Sequence, residues 1–525
     1  MVVAVPARWQ LRFADASQRG TCTRRAGRPS GHDQLPAERT CRALFGYDGA
    51  VGAPPPWKGI GMSKQTLFRL AFASALAVSL FSATAHARTM NFQRPGPPFA
   101  AQQAGEGSPA SAASQAPAST SQSQPQQMVT EYTLPPDLYK KARHLGEIRF
   151  RFAIVSFIYG LIVLWLILKW RLAPKYRFWA ERVASNRFVQ ALIFAPLLIL
   201  TMDVLGLPAD IYENWADRAY GLSVQGWGSW AWDWTKSELL SVTGGIILIY
   251  ILYAVIRKSS RRWWFYFWLA SLPLGLALVF LEPLVVDPMF HKFEPLAQKD
   301  PALTVSLEKL VQRAGQNIPP ERIFWMGASE KSAELNAYVT GFGASKRIVV
   351  WDTTIAKMTT PEIVFVVGHE MGHYVLEHIP KGIALAAIFF LILFYLGYRS
   401  IGWVLGRWGQ KWWIRGADDW ASLPALLLLL SIFSFAANPI TSAASRYFEH
   451  QADQYGLEVT HGLTPDSGQV AAEAFEVLGR VNLSDPAPNP VDVFLFYSHP
   501  TIPDRINFAL TYDPWANGGH GEFVH

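Results

Sequence analysis

Residues 361–398 read PEIVFVVGHEMGHYVLEHIPKGIALAAIFFLILFYLGY. Two kinds of pattern meet in that stretch. In its first half His369, Glu370 and His373 form the motif His-Glu-x-x-His. Histidines four residues apart lie on one helical face, because four steps nearly complete a turn. Both imidazoles can then bind one zinc ion, with Glu370 beside them to take a proton from water. The second half, 382–398, is apolar and long enough to cross the hydrocarbon core of a bilayer. The stretch therefore predicts a metalloprotease helix running into a membrane span. Pro361 is well placed to open that helix. Pro380 is expected to help end it and lead into the span.

Five further runs have spanning length: 152–168, 188–207, 239–256, 263–281 and 421–438. Trp and Tyr crowd their ends, as in interfacial belts. Composition agrees, with 50% hydrophobic residues, 14% aromatic and only 17% charged, where a soluble chain carries about 25% charged. The formal net charge is +7. The basic residues sit beside apolar runs, so they read as topology charges and not as a nucleic-acid surface. The only cysteines are Cys22 and Cys41. A metal in the main body must therefore use His, Asp and Glu.

Residues 1–61 show no clear periodicity and read as a mis-called N-terminal extension ahead of Met62. Residues 62–87 have a basic start, an apolar stretch and the small-residue box Ala85-His86-Ala87, which is the layout of a signal peptide or an uncleaved anchor. Residues 88–133, rich in Ala, Ser, Gln and Pro, read as a disordered linker. A four-span region, 134–284, follows. Next come a metalloprotease unit with the His-Glu-x-x-His helix (285–380), two more spans (381–439) and the unit's C-terminal part (440–525).

Loop charges set the expected orientation. Loops 169–187, 257–262 and 399–420 are rich in Lys and Arg, whereas loop 208–238 carries Asp210, Glu213, Asp217, Asp233 and Glu238 against Arg218 and Lys236. The positive-inside rule puts the first three in the cytoplasm. Residues 285–380 and 440–525 then lie on the outer face, and so does the active site. These two segments read as one mixed α/β unit, with an amphipathic helix at 303–314 and short strands at 322–326, 336–340 and 347–351. The expected fold class is thus mainly α: a multi-pass transmembrane helical bundle or barrel bearing a small mixed α/β zinc metalloprotease unit of the His-Glu-x-x-His gluzincin type.

Two histidines leave zinc short of ligands. The best candidate for a third lies in Ser445-Arg446-Tyr447-Phe448-Glu449-His450-Gln451-Ala452-Asp453, where Glu449 and Asp453 are again four apart. Glu449 could bind the metal while Asp453 accepts a hydrogen bond from a liganding histidine. His450 projects elsewhere.

These motifs resemble the CAAX prenyl protease family of integral-membrane zinc metalloendopeptidases, related to the HtpX proteases. The matching stretches, in family order, are Asn336-Ala337-Tyr338-Val339-Thr340-Gly341-Phe342-Gly343, Lys346-Arg347-Ile348-Val349 with Trp351-Asp352-Thr353, and His369 to His378. Ser445-Arg446, Glu449, Ala452-Asp453, and His499-Pro500-Thr501 with Arg505 follow. The resemblance implies one zinc ion per chain, bound by His369, His373 and Glu449, with Glu370 as general base. It implies that Asn336, Ala337 and Tyr338 lie along the active site, where an edge strand can pair with an extended substrate. His499 and Arg505 match residues that stabilise the developing oxyanion or the substrate carbonyl, with a structural salt-bridged turn after Pro500 as their other reading. His378 matches a further motif position beside the ligands, with a helix cap as its other reading.

The reaction implied is metal-assisted hydrolysis of a peptide or protein substrate at a lipid bilayer, with no nucleic acid involved. Eukaryotic members have seven spans forming a barrel around a chamber, with the site reached from the cytosol. Six spans are counted here, and the loop charges face the site outward, where a CAAX tail would rarely be met. Cleavage of membrane or exported proteins in processing and quality control is the corresponding expectation. An intramembrane site-2-type protease is disfavoured, because 363–376 is too short to span and is flanked by Glu377, His378 and Lys381. The alternative from another class is a non-catalytic scaffold or transporter with a degenerate protease fold.

Overall fold

The computed structural model describes residues 128–341 and 345–524. The expected N-terminal extension, the signal or anchor segment and most of the linker lie outside the described residues.

The membrane region begins with α1 (Pro136–Lys169), a short α2 (Leu172–Val183), α3 (Arg187–Tyr220), α4 (Trp227–Lys258) and α5 (Trp263–Leu281). At 1.5 Å per residue, the 34 residues of α1 extend about 50 Å, well beyond the ~30 Å hydrocarbon core. Its polar first turns therefore project out of the bilayer. Pro196 and Pro208 inside α3 and Pro273 inside α5 are of the kind membrane helices accommodate, because neighbours and local adjustments satisfy the freed carbonyls.

The protease unit follows with β1 (Phe293–Pro295), α6 (Pro301–Arg313), β2 (Ile323–Met326), β3 (Ala337–Thr340), β4 (Arg347–Trp351), α7 (Asp352–Lys357) and α8 (Thr360–Val375). The sheet order is β1-β2-β4-β3. β2 and β4 are parallel and the other two pairs antiparallel, with Tyr338 opposite Val349. β3 is thus an edge strand. The chain re-enters the membrane through α9 (His378–Trp408) and α10 (Leu423–Thr460), then closes the unit with α11 (Ser467–Val481), α12 (Pro490–Phe496) and α13 (Ile502–Thr511). Leu303, Leu307 and Leu310 from α6, Ile348 and Val350 from β4, Phe365 from α8 and Phe475 from α11 share one buried core. Phe365 and Phe475 meet edge to face at 5.2 Å.

Among the described residues, six helical stretches are long and apolar enough to cross a membrane, and the six expected runs fall within them. The loops divide between the two ends of the bundle as their charges do. At one end Arg171 Nε donates to the Lys411 carbonyl at 3.0 Å. There too Arg415 pairs with Glu181 at 2.8 Å, Arg177 pairs with Asp419, and Arg257 stacks over Trp420 at 4.2 Å. All three basic loops meet there. At the other end, the acidic loop is tied to the protease unit. The Val224 amide donates to the Lys331 carbonyl at 3.1 Å, and Lys331 Nζ lies 2.6 Å from Asp233.

Three details differ from expectation. β1 was not anticipated, since three residues, Phe-Glu-Pro, are too few to show alternation. α8 stops at Val375 without help from Pro380. Glu377 adopts φ 58°, and Pro380 lies in the first turn of α9, where proline is tolerated. Residues 129–132, expected to belong to the linker, are folded. Val129 is buried in the protease core, and the Tyr132 hydroxyl donates to the Ser484 carbonyl at 3.3 Å. Those two apolar anchors fold the last residues of an otherwise polar stretch.

Candidate metal centre and active site

α8 is set by local chemistry. Thr359 caps it, Glu362 closes a reciprocal capping box, and Pro361 occupies its first turn. α8 and α10 cross at small residues. A Cβ on Gly456 of α10 would stand 3.1 Å from the His369 amide nitrogen, and one on Gly372 of α8 would stand 3.2 Å from the Ala452 Cα. This close approach brings Glu449 and Asp453 against the two histidines.

His369 Nε2 and His373 Nε2 lie 3.3 Å apart. Glu449 Oε2 is 3.2 Å from the first, and Oε1 is 3.6 Å from the second. One ligand atom from each residue falls within 4.8 Å of the others. The two imidazole nitrogens and the buried Glu449 carboxylate converge on one point, an arrangement of donors that suits a cation. On the far side of His369, Nδ1 lies 2.8 Å from Asp453 Oδ1, which sets the ring with Nε2 turned inward. Arg505 grips the same carboxylate, Nε at 2.9 Å and Nη2 at 2.5 Å, and lies over Phe475 at 4.2 Å. His499 Nε2 is 3.1 Å from Glu449 Oε2, and its Nδ1 is 2.8 Å from the Ser498 hydroxyl.

Burial opposes a charge on His369, but its hydrogen bonds to Asp453 and Glu449 prevail and raise it to about 10. Burial and repulsion from His369 depress His373 to about 3. Burial pushes Glu370 up to about 7, against the attraction of His369 and the hydrogen bond of the Val339 backbone. A carboxyl near 7 beside an edge strand is suited to exchange protons at neutral pH.

The structure brings His369, Glu370, His373, Glu449, Asp453, His378, His499 and Arg505 together. His378 Nδ1 is 3.1 Å from His373 Nδ1. The Asn336–Tyr338 segment is more divided. Ala337 and Val339 face the protease core. Tyr338 points to the opposite face, with its hydroxyl 3.3 Å from Asp287 and its ring beside Met326. Asn336 is exposed where β3 begins, its backbone fixed by the Thr354 hydroxyl at 2.7 Å. β3 thus presents a backbone edge, while the Tyr338 ring lies on the face turned away from the protease core. Residues missed from sequence include Gly456 and Gln451. Small residues four apart at Gly368 and Gly372, and at Ala452 and Gly456, were the available sign of a close helix crossing.

A His-Glu-x-x-His helix with a carboxylate as the third member of the group, set on a bundle with six candidate spans among the described residues, defines a membrane metallopeptidase. The comparisons with known proteins agree. Residues 297–513 match the family described as peptidase family M48, and residues 116–292 match the CAAX prenyl protease N-terminal family, described as five membrane helices. The uncharacterized metalloprotease YhfN of Bacillus subtilis is 37% identical over 64% of this chain and 77% of its own length. CAAX prenyl protease 1 of Saccharomyces cerevisiae is 27% identical over 74% of this chain and 90% of its own. The crystal structure of S. mikatae Ste24p superposes with a TM-score of 0.60 at 26% identity, covering 72% of this chain and 89% of that one. The chain belongs to peptidase family M48, in the family named for the CAAX prenyl proteases. It is a multi-pass membrane metalloprotease with a peptide substrate.

Proposed function

We propose that the chain is a zinc endopeptidase of membrane or exported proteins, with zinc held by His369, His373 and Glu449. Imidazole and carboxylate donors suit zinc. When bound, the ion supplies a Lewis acid for the water and the scissile carbonyl. Glu370 takes the proton from the attacking water and returns it to the leaving amine. The edge of β3 pairs with the substrate backbone, which gives affinity with loose sequence preference. His499, with a nitrogen near Glu449, donates to the developing oxyanion. Arg505 is committed to Asp453 at two atoms and acts chiefly by holding that carboxylate on His369.

The observation that carries this reading is the convergence of the two Nε2 atoms and the buried Glu449 carboxylate on one point. The tie between the acidic loop and the protease unit, opposite the joined basic loops, supports an extracytoplasmic site. Substrates are then membrane or exported chains needing processing or quality control.

The test is zinc content and cleavage of an unstructured peptide by the purified protein in detergent, for wild type and Glu370→Gln. The expected result is one zinc per chain in both and turnover only in wild type. A wild type that takes up no supplied zinc and cleaves nothing overturns the proposal.

A further inference from the structure

The break between α8 and α9 falls at Glu377, ahead of the expected Pro380, and swings His378 back onto His373. Glu377 turns the chain at φ 58°, and His378 opens α9 with its ring buried. That ring stacks on Phe448 at 4.7 Å and 18°. Its Nδ1 is 3.1 Å from His373 Nδ1, and its Nε2 is 3.2 Å from Gln451 Oε1.

The chemistry of the three groups fixes each proton. His373 turns Nε2 toward His369 and Glu449. A metal-binding nitrogen carries no proton, so the proton of neutral His373 is on Nδ1. Nδ1–H donates to His378 Nδ1, which must then be bare. The proton of His378 is on Nε2 and donates to Gln451 Oε1, an atom that can only accept. Each donor meets one acceptor.

We infer that Gln451 is a positioning residue for the metal centre: acting through His378, it holds His373 in the tautomer and orientation that bind the ion. This rests on the metal reading above. One turn of α10 then supplies three functions. Phe448 gives His378 a stacking surface, Glu449 is a ligand, and Gln451 ends the relay. Where Asp453 orients His369 with a charge, Gln451 orients His373 without one.

The test is zinc affinity, by competition with a chelator, for the full chain in detergent as wild type, Gln451→Met and Gln451→Glu. Gln451→Met keeps the length but removes the acceptor, and it should weaken zinc binding by about 10–100-fold. Gln451→Glu keeps an acceptor oxygen and should bind within about threefold of wild type, on the same ground. The absorption spectrum of the cobalt-loaded protein should change in the first variant and persist in the second. Gln451→Met binding as tightly as wild type, or Gln451→Glu binding as weakly as Gln451→Met, overturns the inference and leaves the metal reading standing. A wild type that binds no zinc overturns both.

Discussion

The two sides of the metal centre solve one problem differently. His369 is backed by Asp453, itself clamped by Arg505, so charges orient the ring. His373 is backed by His378 and Gln451, which are neutral. The charged side stores a proton and the neutral side does not. His369 is raised to about 10, while His373 is held down near 3. Without metal, the site keeps one proton on His369 against the Glu449 carboxylate. The entering ion must displace it.

The largest effect should come from the charged side. Asp453→Ala leaves the Arg505 guanidinium, whose side chain is only 11% exposed, without its partner. Breaking such a buried pair costs about 3–5 kcal/mol, readable by denaturant unfolding of the metal-free protein. Zinc affinity should fall further than in Gln451→Met, which strands no charge. Equal losses in the two variants would mean that the charges contribute nothing beyond orientation.

The next expectation is a linkage. His369 is protonated below about 10, and zinc needs its nitrogen bare. Zinc binding near neutral pH should release about one proton from this residue, and apparent affinity should rise about tenfold per pH unit until pH nears the pKa. Calorimetry in buffers of different ionisation enthalpy counts the proton. Asp453→Asn removes the charge that raises His369, so the release should shrink. A wild-type release near zero at pH 7 would place the proton elsewhere.

Much of this was legible in the sequence where the determining interaction is short. His369, Glu370 and His373 are tied by helical spacing, and Glu449 and Asp453 repeat that spacing. The spans were legible because a bilayer demands long apolar runs. What was hidden lies across the chain. His378 meets Gln451 at a separation of 73 residues, and Arg505 meets Asp453 at 52. No local pattern shows that Glu377 will break the helix, or that a second helix will supply an acceptor there. The apposition of Gly456 to His369 also depends on where α8 and α10 cross.

That crossing gives a smaller effect, on both sides of the centre at once. In Gly456→Val, the new Cβ would stand 3.1 Å from the His369 amide nitrogen and from Phe365 Cε2. The helices must part by a few tenths of an ångström, and overpacking of this kind costs about 1–3 kcal/mol. Glu449 would move from both histidines together. Zinc affinity should drop while the proton release on binding near neutral pH persists, because Asp453, the larger cause of the raised His369 pKa, still faces the ring. A variant that keeps wild-type affinity would show that the site tolerates a looser crossing.

The smallest effect should be at Tyr338, although its position in the sequence points to substrate contact. Successive side chains of a strand face opposite ways. Ala337 and Val339 turn toward the core that holds α8, and Tyr338 turns from it toward Asp287, where Arg347 Nη2 also binds at 2.7 Å. Asp287 thus keeps its cationic partner when the phenol is removed. Tyr338→Phe should cost at most about 1 kcal/mol of stability, the worth of one ordinary hydrogen bond. It should leave kcat and KM for an unstructured peptide within about twofold, well under the ~1.4 kcal/mol that a tenfold change represents. A tenfold rise in KM would put the Tyr338 ring on the substrate and would mean that β3 engages its peptide by side chains as well as by its edge. An unchanged KM leaves recognition to the backbone, as expected of an endopeptidase that accepts many unfolded sequences.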